Sequence, residues 1–287
     1  MPRIAYVNGR YLPLAQAQVH IEDRGYQFAD GVYEVVPLYR GRLLDEEPHL
    51  DRFDYSLREL EIAPPMPRAA LRLVLHELVR RNGLSDALLY FQATRGVAPR
   101  DHKFPVRPKT AFVATLRRSR PPSAAQIEQG VSVITVPDIR WDRCDIKSIS
   151  LLPNLLAKQK AAAAGAFEAW LVDDQDRVTE GSSTNAWIVT ADGKLVTRDA
   201  GVAILNGITR QRVIKLVESE GIAFEQRAFG CDEAMRAREA FLSSSSSFVL
   251  PITRIDGKPV GEGKPGPVTR QLREIYVAAA LETPVLL

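Results

Sequence analysis

Three short segments carry side chains whose types and setting could do chemistry. Lys147 stands in Arg143-Cys144-Asp145-Ile146-Lys147-Ser148-Ile149-Ser150, an apolar and hydroxyl-rich stretch. Removal from water favours the neutral amine of a lysine, and a neutral amine attacks carbonyl carbon. Glu180 leads Val178-Thr179-Glu180-Gly181-Ser182-Ser183-Thr184-Asn185, which reads as a small polar turn between two strands, open to close approach by a ligand. A carboxylate there can hold a proton on a heteroaromatic ring nitrogen and make that ring an electron sink. Gly207-Ile208-Thr209-Arg210 reads as a helix opening. Exposed amides there, beside the Thr209 hydroxyl, suit a phosphate. Arg52 and the serines of 243–247 are further donors for such a group. Each has an ordinary reading as well: a solvated loop lysine, a polar hairpin, a threonine N-cap, a solvated helix arginine, an exposed serine loop. Taken one at a time, both readings stand.

The elements that must position these residues are mixed. Residues 32–39 form a β-rich run, Arg40-Gly41 a tight turn and 42–44 a return strand, which predicts a hairpin. Leu50, Phe53, Leu57 and Leu60 follow helical spacing, as do Leu71, Val74, Leu75 and Leu78, with Gly83 ending the second helix. Strands are expected at 87–94 and 110–116, flanking a loop at 96–108 that holds three prolines. Residues 117–123 are polar, proline-paired and aperiodic, the pattern of a linker. The chain therefore divides into an N-terminal domain 1–119, a linker 120–123 and a C-terminal domain 124–287, both α+β. In the second, strands are expected at 131–136, 168–172, 186–190 and 194–197, the last two joined at Asp192-Gly193. Helices are expected at 154–164, 209–220 and 268–280.

Composition removes several classes of function. The chain has 287 residues, 45% hydrophobic and 25% charged, the balance of a soluble globular protein. Its formal charge of +3 comes from scattered basic residues, which gives no footprint for nucleic acid. No apolar run approaches the roughly 18 residues of a membrane span, and the N-terminus lacks the apolar stretch of a signal peptide. Two cysteines, Cys144 and Cys231, make no disulfide framework, which points to the cytoplasm. The four histidines are dispersed, and no metal site is expected. A phosphate-binding loop ending in Gly-Lys-Ser/Thr, a glycine dinucleotide fingerprint and a Gly-x-Ser-x-Gly elbow are all missing.

Read together and in order, the segments say more. Glu22-Asp23-Arg24-Gly25-Tyr26-Gln27-Phe28 and Asp30-Gly31-Val32-Tyr33-Glu34-Val35-Val36 are followed by His49-Leu50-Asp51-Arg52. Next come Tyr90-Phe91-Gln92, Thr94-Arg95-Gly96, Pro99-Arg100-Asp101-His102 and Asp138-Ile139-Arg140-Trp141, then the Lys147, Glu180 and Gly207 segments. Over roughly residues 5–280 the chain resembles the D-amino acid aminotransferases of the fold-type IV, pyridoxal 5'-phosphate-dependent family. Ala29, Asp101 and Phe248 depart from that family's pattern, standing where a glycine, a small residue and a polar residue are expected.

The resemblance implies a two-domain fold-type IV architecture with the active site between the domains, a homodimer, and a loop 96–108 reaching into the partner's site. It implies that Lys147 carries pyridoxal 5'-phosphate as a Schiff base and shuttles the proton. Glu180 would pair with the pyridine nitrogen, and Leu205 would pack beside the ring. Arg52, Ile208, Thr209, Ser244 and Ser245 would hold the phosphate. Tyr33, Arg100 and His102 would trap the substrate α-carboxylate. Two residues apart in an extended loop, Arg100 and His102 can point the same way, and an arginine with a second donor matches a carboxylate. The expected reaction is ping-pong transamination between D-amino acids and 2-oxo acids. Its rivals are a branched-chain L-amino acid aminotransferase or an aminodeoxychorismate lyase of the same fold, and a non-catalytic cofactor-binding protein, which would need neither Lys147 nor Glu180.

Overall fold

The computed structural model describes residues 3–286. Two compact units divide between Arg120 and Pro121; the first takes in the described residues up to Arg120, Ile146–Ser150 and those from Leu281 onward. The second comprises Pro121–Asp145 and Leu151–Ala280.

The first unit opens with the hairpin β1 (Ile4–Val7) and β2 (Arg10–Pro13), then the short helix α1 (Arg24–Phe28). Strands β3 (Gly31–Tyr39) and β4 (Arg42–Leu43) form the expected second hairpin. Helices α2 (Glu46–Glu59) and α3 (Arg68–Asn82) follow, then strands β5 (Ala87–Thr94) and β6 (Ala111–Arg118). The sheet order is β2-β1-β6-β5-β3-β4. Leu50, Phe53 and Leu57 of α2 and Leu71, Leu75 and Leu78 of α3 are buried in one core with Val32, Val36, Phe91 and Phe112. That is the stripe their spacing predicts. α1 stops at Ala29, which caps it in the left-handed region at φ 55°, a conformation glycine takes without strain. The glycine expected at this position by resemblance thus has a backbone reason. Phe248, the other large departure, also has a positive φ, 57°.

Residues 146–150 and 281–286 belong with this first unit, although the expected domain 124–287 would put them in the second. Hydrogen bonds give the reason. Tyr33 N donates to Lys147 O and Ile149 N to Gly31 O, each at 3.0 Å, so the lysine segment lies along the start of β3 as an added edge. Ile146 is buried in the same core, and Leu286 N donates to Gly41 O. Gly31 permits the approach: a Cβ there would stand 2.6 Å from Ala93 O and 3.0 Å from Ile149 Cδ1.

The second unit runs α4 (Ala124–Gln129), β7 (Val131–Pro137), α5 (Leu152–Ala163), β8 (Glu168–Val172), β9 (Arg177–Gly181), β10 (Asn185–Val189) and β11 (Leu195–Thr197). It continues with α6 (Ile208–Ser219), β12 (Phe224–Gln226), β13 (Phe229–Gly230), α7 (Cys231–Met235), β14 (Glu239–Ser244), β15 (Phe248–Ile255), β16 (Lys258–Pro259) and α8 (Pro267–Glu282). Its mixed sheet has the order β12-β11-β10-β14-β15-β7-β8-β9-β13, with β16 beside β15. Val213 and Val217 of α6 and Leu272 and Tyr276 of α8 pack against Trp187, Phe241 and Val249. Val131, Val133, Trp170, Ile188 and Leu250 belong to a second buried cluster. One expectation is corrected here. The polar segment from Val178 is a strand through Gly181, with Val178, Thr179 and Glu180 all buried, and only Ser182–Thr184 turn.

Candidate active site

Lys147 is half-buried, and its Nζ lies 4.3 Å from the centroid of the Tyr33 ring. The backbone bonds to β3 fix this, together with Lys147 N donating to Ser56 Oγ of α2 at 3.2 Å. Tyr33 stacks on Tyr90, centroids 5.6 Å apart, and Tyr90 Oη donates to Gln92 Oε1 at 2.6 Å. Burial, with Tyr33 nearby, pushes the Tyr90 phenol up to about 12. The amine is therefore set against the Tyr33 ring.

Strand alternation turns Glu34 to the opposite face from Tyr33, toward α2. It is fully buried and meets His49 and Arg52, three residues apart on one helical face. Arg52 Nε and Nη2 donate to the two Glu34 carboxylate oxygens at 2.7 and 2.8 Å, and His49 Nδ1 lies 2.7 Å from Oε2. Burial alone would raise the Glu34 carboxyl, but the charge and hydrogen bonds of Arg52, then those of His49, hold it well below the usual range. Burial also draws His49 below its ordinary value, against the pull of Glu34. Arg52, expected to grip phosphate, is thus a guanidinium locked in place by a buried carboxylate.

In the second unit Glu180 is 5% exposed and fully engaged. Arg140 Nη1 donates to its Oε1, as does Leu205 N at 3.1 Å, and Asn185 Nδ2 donates to Oε2 at 3.0 Å. Every one of these donors stabilises the ionised form. Asn185 Nδ2 also donates to Leu205 O at 2.9 Å, so the loop before α6 is tied to the carboxylate through both backbone groups of Leu205. Arg140 is itself held: its Nη2 donates to Asp138 Oδ2 at 2.7 Å and to Ala203 O at 3.1 Å. Thr179 Oγ1 donates to the same Asp138 oxygen at 2.7 Å. Burial would raise Asp138, and the bonds and charge of Arg140 outweigh it to hold the carboxyl low. Nearby, burial pushes the Cys144 thiol up to about 12 although Arg140 opposes the shift.

The Thr209 cap is the second correction. Gly207 is the N-cap of α6, without any side-chain cap, and Ile208 and Thr209 are its buried first residues. The helix opens on uncapped amides, where the macrodipole favours an anion. Gly207 fits tightly: a Cβ would stand 2.1 Å from Asn185 Oδ1. Ser244 ends β14 and Ser245 starts the following turn, both half-buried, with Ser247 N donating to Ser244 Oγ at 3.2 Å.

Arg100 and His102 are exposed and come together on one ring, that of Phe28. The Arg100 guanidinium carbon lies 4.5 Å from the Phe28 centroid and the His102 ring 5.5 Å, inclined at 53°.

Sequence reasoning assigned no role to Arg140, Asp138, Asn185, Glu34, His49 or Phe28, which hold the named residues in place. Most of them lie within the segments that carry the resemblance; what was missing was their pairing. Among the described residues no cluster of histidine, cysteine or acidic side chains could hold a metal ion, and no helix is long and apolar enough to cross a membrane.

With this geometry in view, comparison places the chain in a class. A family profile described as amino-transferase class IV matches residues 31–255. The chain is 43% identical to a D-alanine aminotransferase of Bacillus licheniformis, over 93% of each chain. It is 40% identical to one of Staphylococcus haemolyticus, over 94% of this chain and 95% of the relative. Among solved structures it is similar to a branched-chain amino acid aminotransferase of Escherichia coli, with TM-score 0.91 and 23% identity, covering 99% of this chain and 97% of the other. It is also similar to the branched-chain amino acid aminotransferase of Thermobaculum terrenum in its PLP-form (holo-form), with TM-score 0.83 and 26% identity, covering 97% of this chain and 94% of the other. This chain belongs to the class IV aminotransferase family, and its fold is the fold-type IV α+β architecture.

Proposed function

We propose that this chain is a pyridoxal 5'-phosphate-dependent D-amino acid transaminase, exchanging amino groups between D-amino acids and 2-oxo acids. The observation that carries the reading is Arg100 and His102 side by side on Phe28, in a chain this similar to D-alanine aminotransferases. An arginine with a second donor suits the α-carboxylate that every substrate of this class shares.

The residues fit the cofactor. α6 offers uncapped amides at Ile208 and Thr209 for a phosphate, Glu180 is a buried carboxylate met by three donors, and Lys147 supplies an amine. When bound, the cofactor supplies an electron sink for the electrons left when the substrate Cα loses its proton. The chain's residues do the rest. Lys147 Nζ would tether the cofactor and, once the substrate's amine has displaced it, would be the free amine that takes the Cα proton; the Tyr33 ring 4.3 Å away limits where that amine can reach. Glu180, kept in line by Asn185, would hold the proton on the ring nitrogen. Arg52, fixed by Glu34, would be a phosphate donor supplied by the first unit, and the α6 amides with the hydroxyls of Thr209, Ser244 and Ser245 would be those supplied by the second. Leu205 would pack beside the ring, and Tyr33 would complete the carboxylate site.

A homodimer belongs to this reading. Leu152, Leu155 and Leu156 on one face of α5, and Phe104 and Val106 on the loop after β5, are exposed at 50% or more. Apolar surface of that kind suits cover by a second copy, and sedimentation at micromolar protein would show a dimer. Cys144 and Cys231 are both free, which agrees with a reducing compartment such as the cytoplasm.

Two experiments test the function. Incubation with D- or L-alanine and 2-oxoglutarate, followed by determination of the product's chirality, should give D-glutamate from D-alanine only; L-glutamate would replace this reading with the branched-chain one. Borohydride reduction of the loaded protein should fix the cofactor on Lys147 in peptide maps, and Lys147→Ala should lose both label and turnover.

A further inference from the structure

The stretch from Arg100 to His102 is exposed, yet buried groups of α1 and of the end of β5 hold it. Arg24 is 3% exposed. Its Nη1 donates to Asp101 O at 2.6 Å, its Nε to Asp30 Oδ2 at 2.7 Å, and its guanidinium lies 4.8 Å from the Phe28 centroid. Arg95, also buried, donates to both oxygens of the same Asp30 at 2.8 and 3.0 Å and lies 3.5 Å from the Phe104 centroid. Arg24 N donates to Gly96 O, and Ala98 N to Glu22 O. The loop is thus pinned at its base, its middle and its far side.

We infer that Phe28 is a positioning residue: its ring is the platform that pre-orients Arg100 and His102 for a substrate carboxylate, with Arg24 locking the loop against it. The inference rests on the proposed carboxylate role of Arg100 and His102. Stacking uses the flat face of a guanidinium and leaves its in-plane N–H groups free to donate. Among the described residues Arg100 forms no ion pair, so those donors remain for a ligand. A flexible side chain ordered beforehand does not have to be ordered when substrate binds. The loop's backbone is also anchored by bonds that do not touch the ring, Arg24 N to Gly96 O and Ala98 N to Glu22 O, so losing the ring should loosen Arg100 and His102 without unfolding the loop. Because all amino acid and 2-oxo acid substrates share the carboxylate, Phe28 should act on all of them alike.

Steady-state kinetics of the loaded enzyme with D-alanine and 2-oxoglutarate test this, on Phe28→Leu, Phe28→Tyr, Arg100→Ala and the Phe28→Leu/Arg100→Ala pair. Phe28→Leu should raise KM for both substrates about 3- to 10-fold, the range expected when one flexible side chain must be ordered during binding. Its kcat should stay within about twofold, with the bound cofactor's absorbance unchanged. Phe28→Tyr keeps the ring face and should behave as the parent. On the Arg100→Ala background Phe28→Leu should cost less than it does alone. A loss confined to kcat, failure of Phe28→Tyr to restore KM, or full multiplication of the two effects would overturn the inference. If Arg100→Ala raises KM and Phe28→Leu does not, only the role of Phe28 falls. If Arg100→Ala itself leaves KM unchanged, the carboxylate role falls and takes this inference with it.

Discussion

Replacing Gly207 with alanine tests how Glu180 is held. Gly207 has ordinary extended angles, φ −60° and ψ 135°, so alanine brings no backbone strain. The obstacle is space: the new Cβ would stand 2.1 Å from Asn185 Oδ1, where real contacts rarely fall below 3.0 Å. The Asn185 carboxamide would have to move by about 1 Å. It is buried, and its Nδ2 is committed to Glu180 Oε2 at 3.0 Å and Leu205 O at 2.9 Å, so both bonds would lengthen beyond use. A hydrogen bond to a charged group contributes about 1.5–3 kcal/mol and a neutral one about 0.5–1.5, which puts the cost at about 2–4.5 kcal/mol. Turnover should fall as well, since Glu180 loses the donor that sets its Oε2. The assay is a double-mutant cycle by urea unfolding of cofactor-free protein. Asn185→Ala should cost about as much as Gly207→Ala, because it removes the same bonds. On the Asn185→Ala background the clash is gone, and Gly207→Ala should then cost less than about 1 kcal/mol, the part left for a weaker N-cap. Effects that add to within about 0.5 kcal/mol, the behaviour of independent sites, would refute the argument.

Glu180→Gln keeps shape but removes the charge that favours a protonated ring nitrogen; turnover should fall tenfold or more, about 1.4 kcal/mol per decade, while the cofactor still binds. Normal turnover would remove Glu180 from its role. Cys144, with its thiol raised from 9.0 to about 12, should react with iodoacetamide at pH 9 at least about a hundredfold more slowly in the native protein than in urea. The sign for stability follows: burial of the neutral thiol contributes fully below pH 9 and is lost as pH rises toward 12. Equal labelling of native and unfolded protein would contradict this. Ala29→Gly should raise stability by up to about 1.6 kcal/mol, since it relieves a left-handed penalty of about 1–2 kcal/mol against an added unfolded-state freedom of about 0.4–1. A fall in the urea midpoint would contradict it.

Long elements with one buried face were legible in the sequence. α2 and α3 show their inward stripes, and β3, β5 and β7 show β-rich runs, because burial on one side imposes a period. The short pieces were not. β13, β16 and α7 have two, two and five residues, too few to display any period. The β1–β2 hairpin did leave a local signal, since its turn is Asn8-Gly9 with φ 45° and 96°, the residue pair that such a turn selects. β9 was misread for a different reason. Thr179, Glu180 and Gly181 have the composition of a turn, and only their burial shows that the strand continues through them. A strand buried on both sides gives no alternation to read.

The candidate site divides along the same physical line. Lys147, Glu180, Arg100 and His102 could be named because their segments stand in a recognisable order. Their supports could not, because each is a pairing across the fold. Arg140 and Glu180 are 40 residues apart, and Glu34 and Arg52 are 18. A carboxylate in the middle of a strand tells a reader that a countercharge must exist, since burying it alone would cost several kcal/mol. It does not say which of the 38 basic residues supplies that charge. Here the partners are also what keep the named residues usable. Arg140 and Asn185 keep Glu180 aimed, Glu34 keeps Arg52 fixed, and the Phe28 ring lies against Arg100. The residues that could touch a ligand are therefore few and local, and the residues that make them able to do so are set by tertiary contact alone.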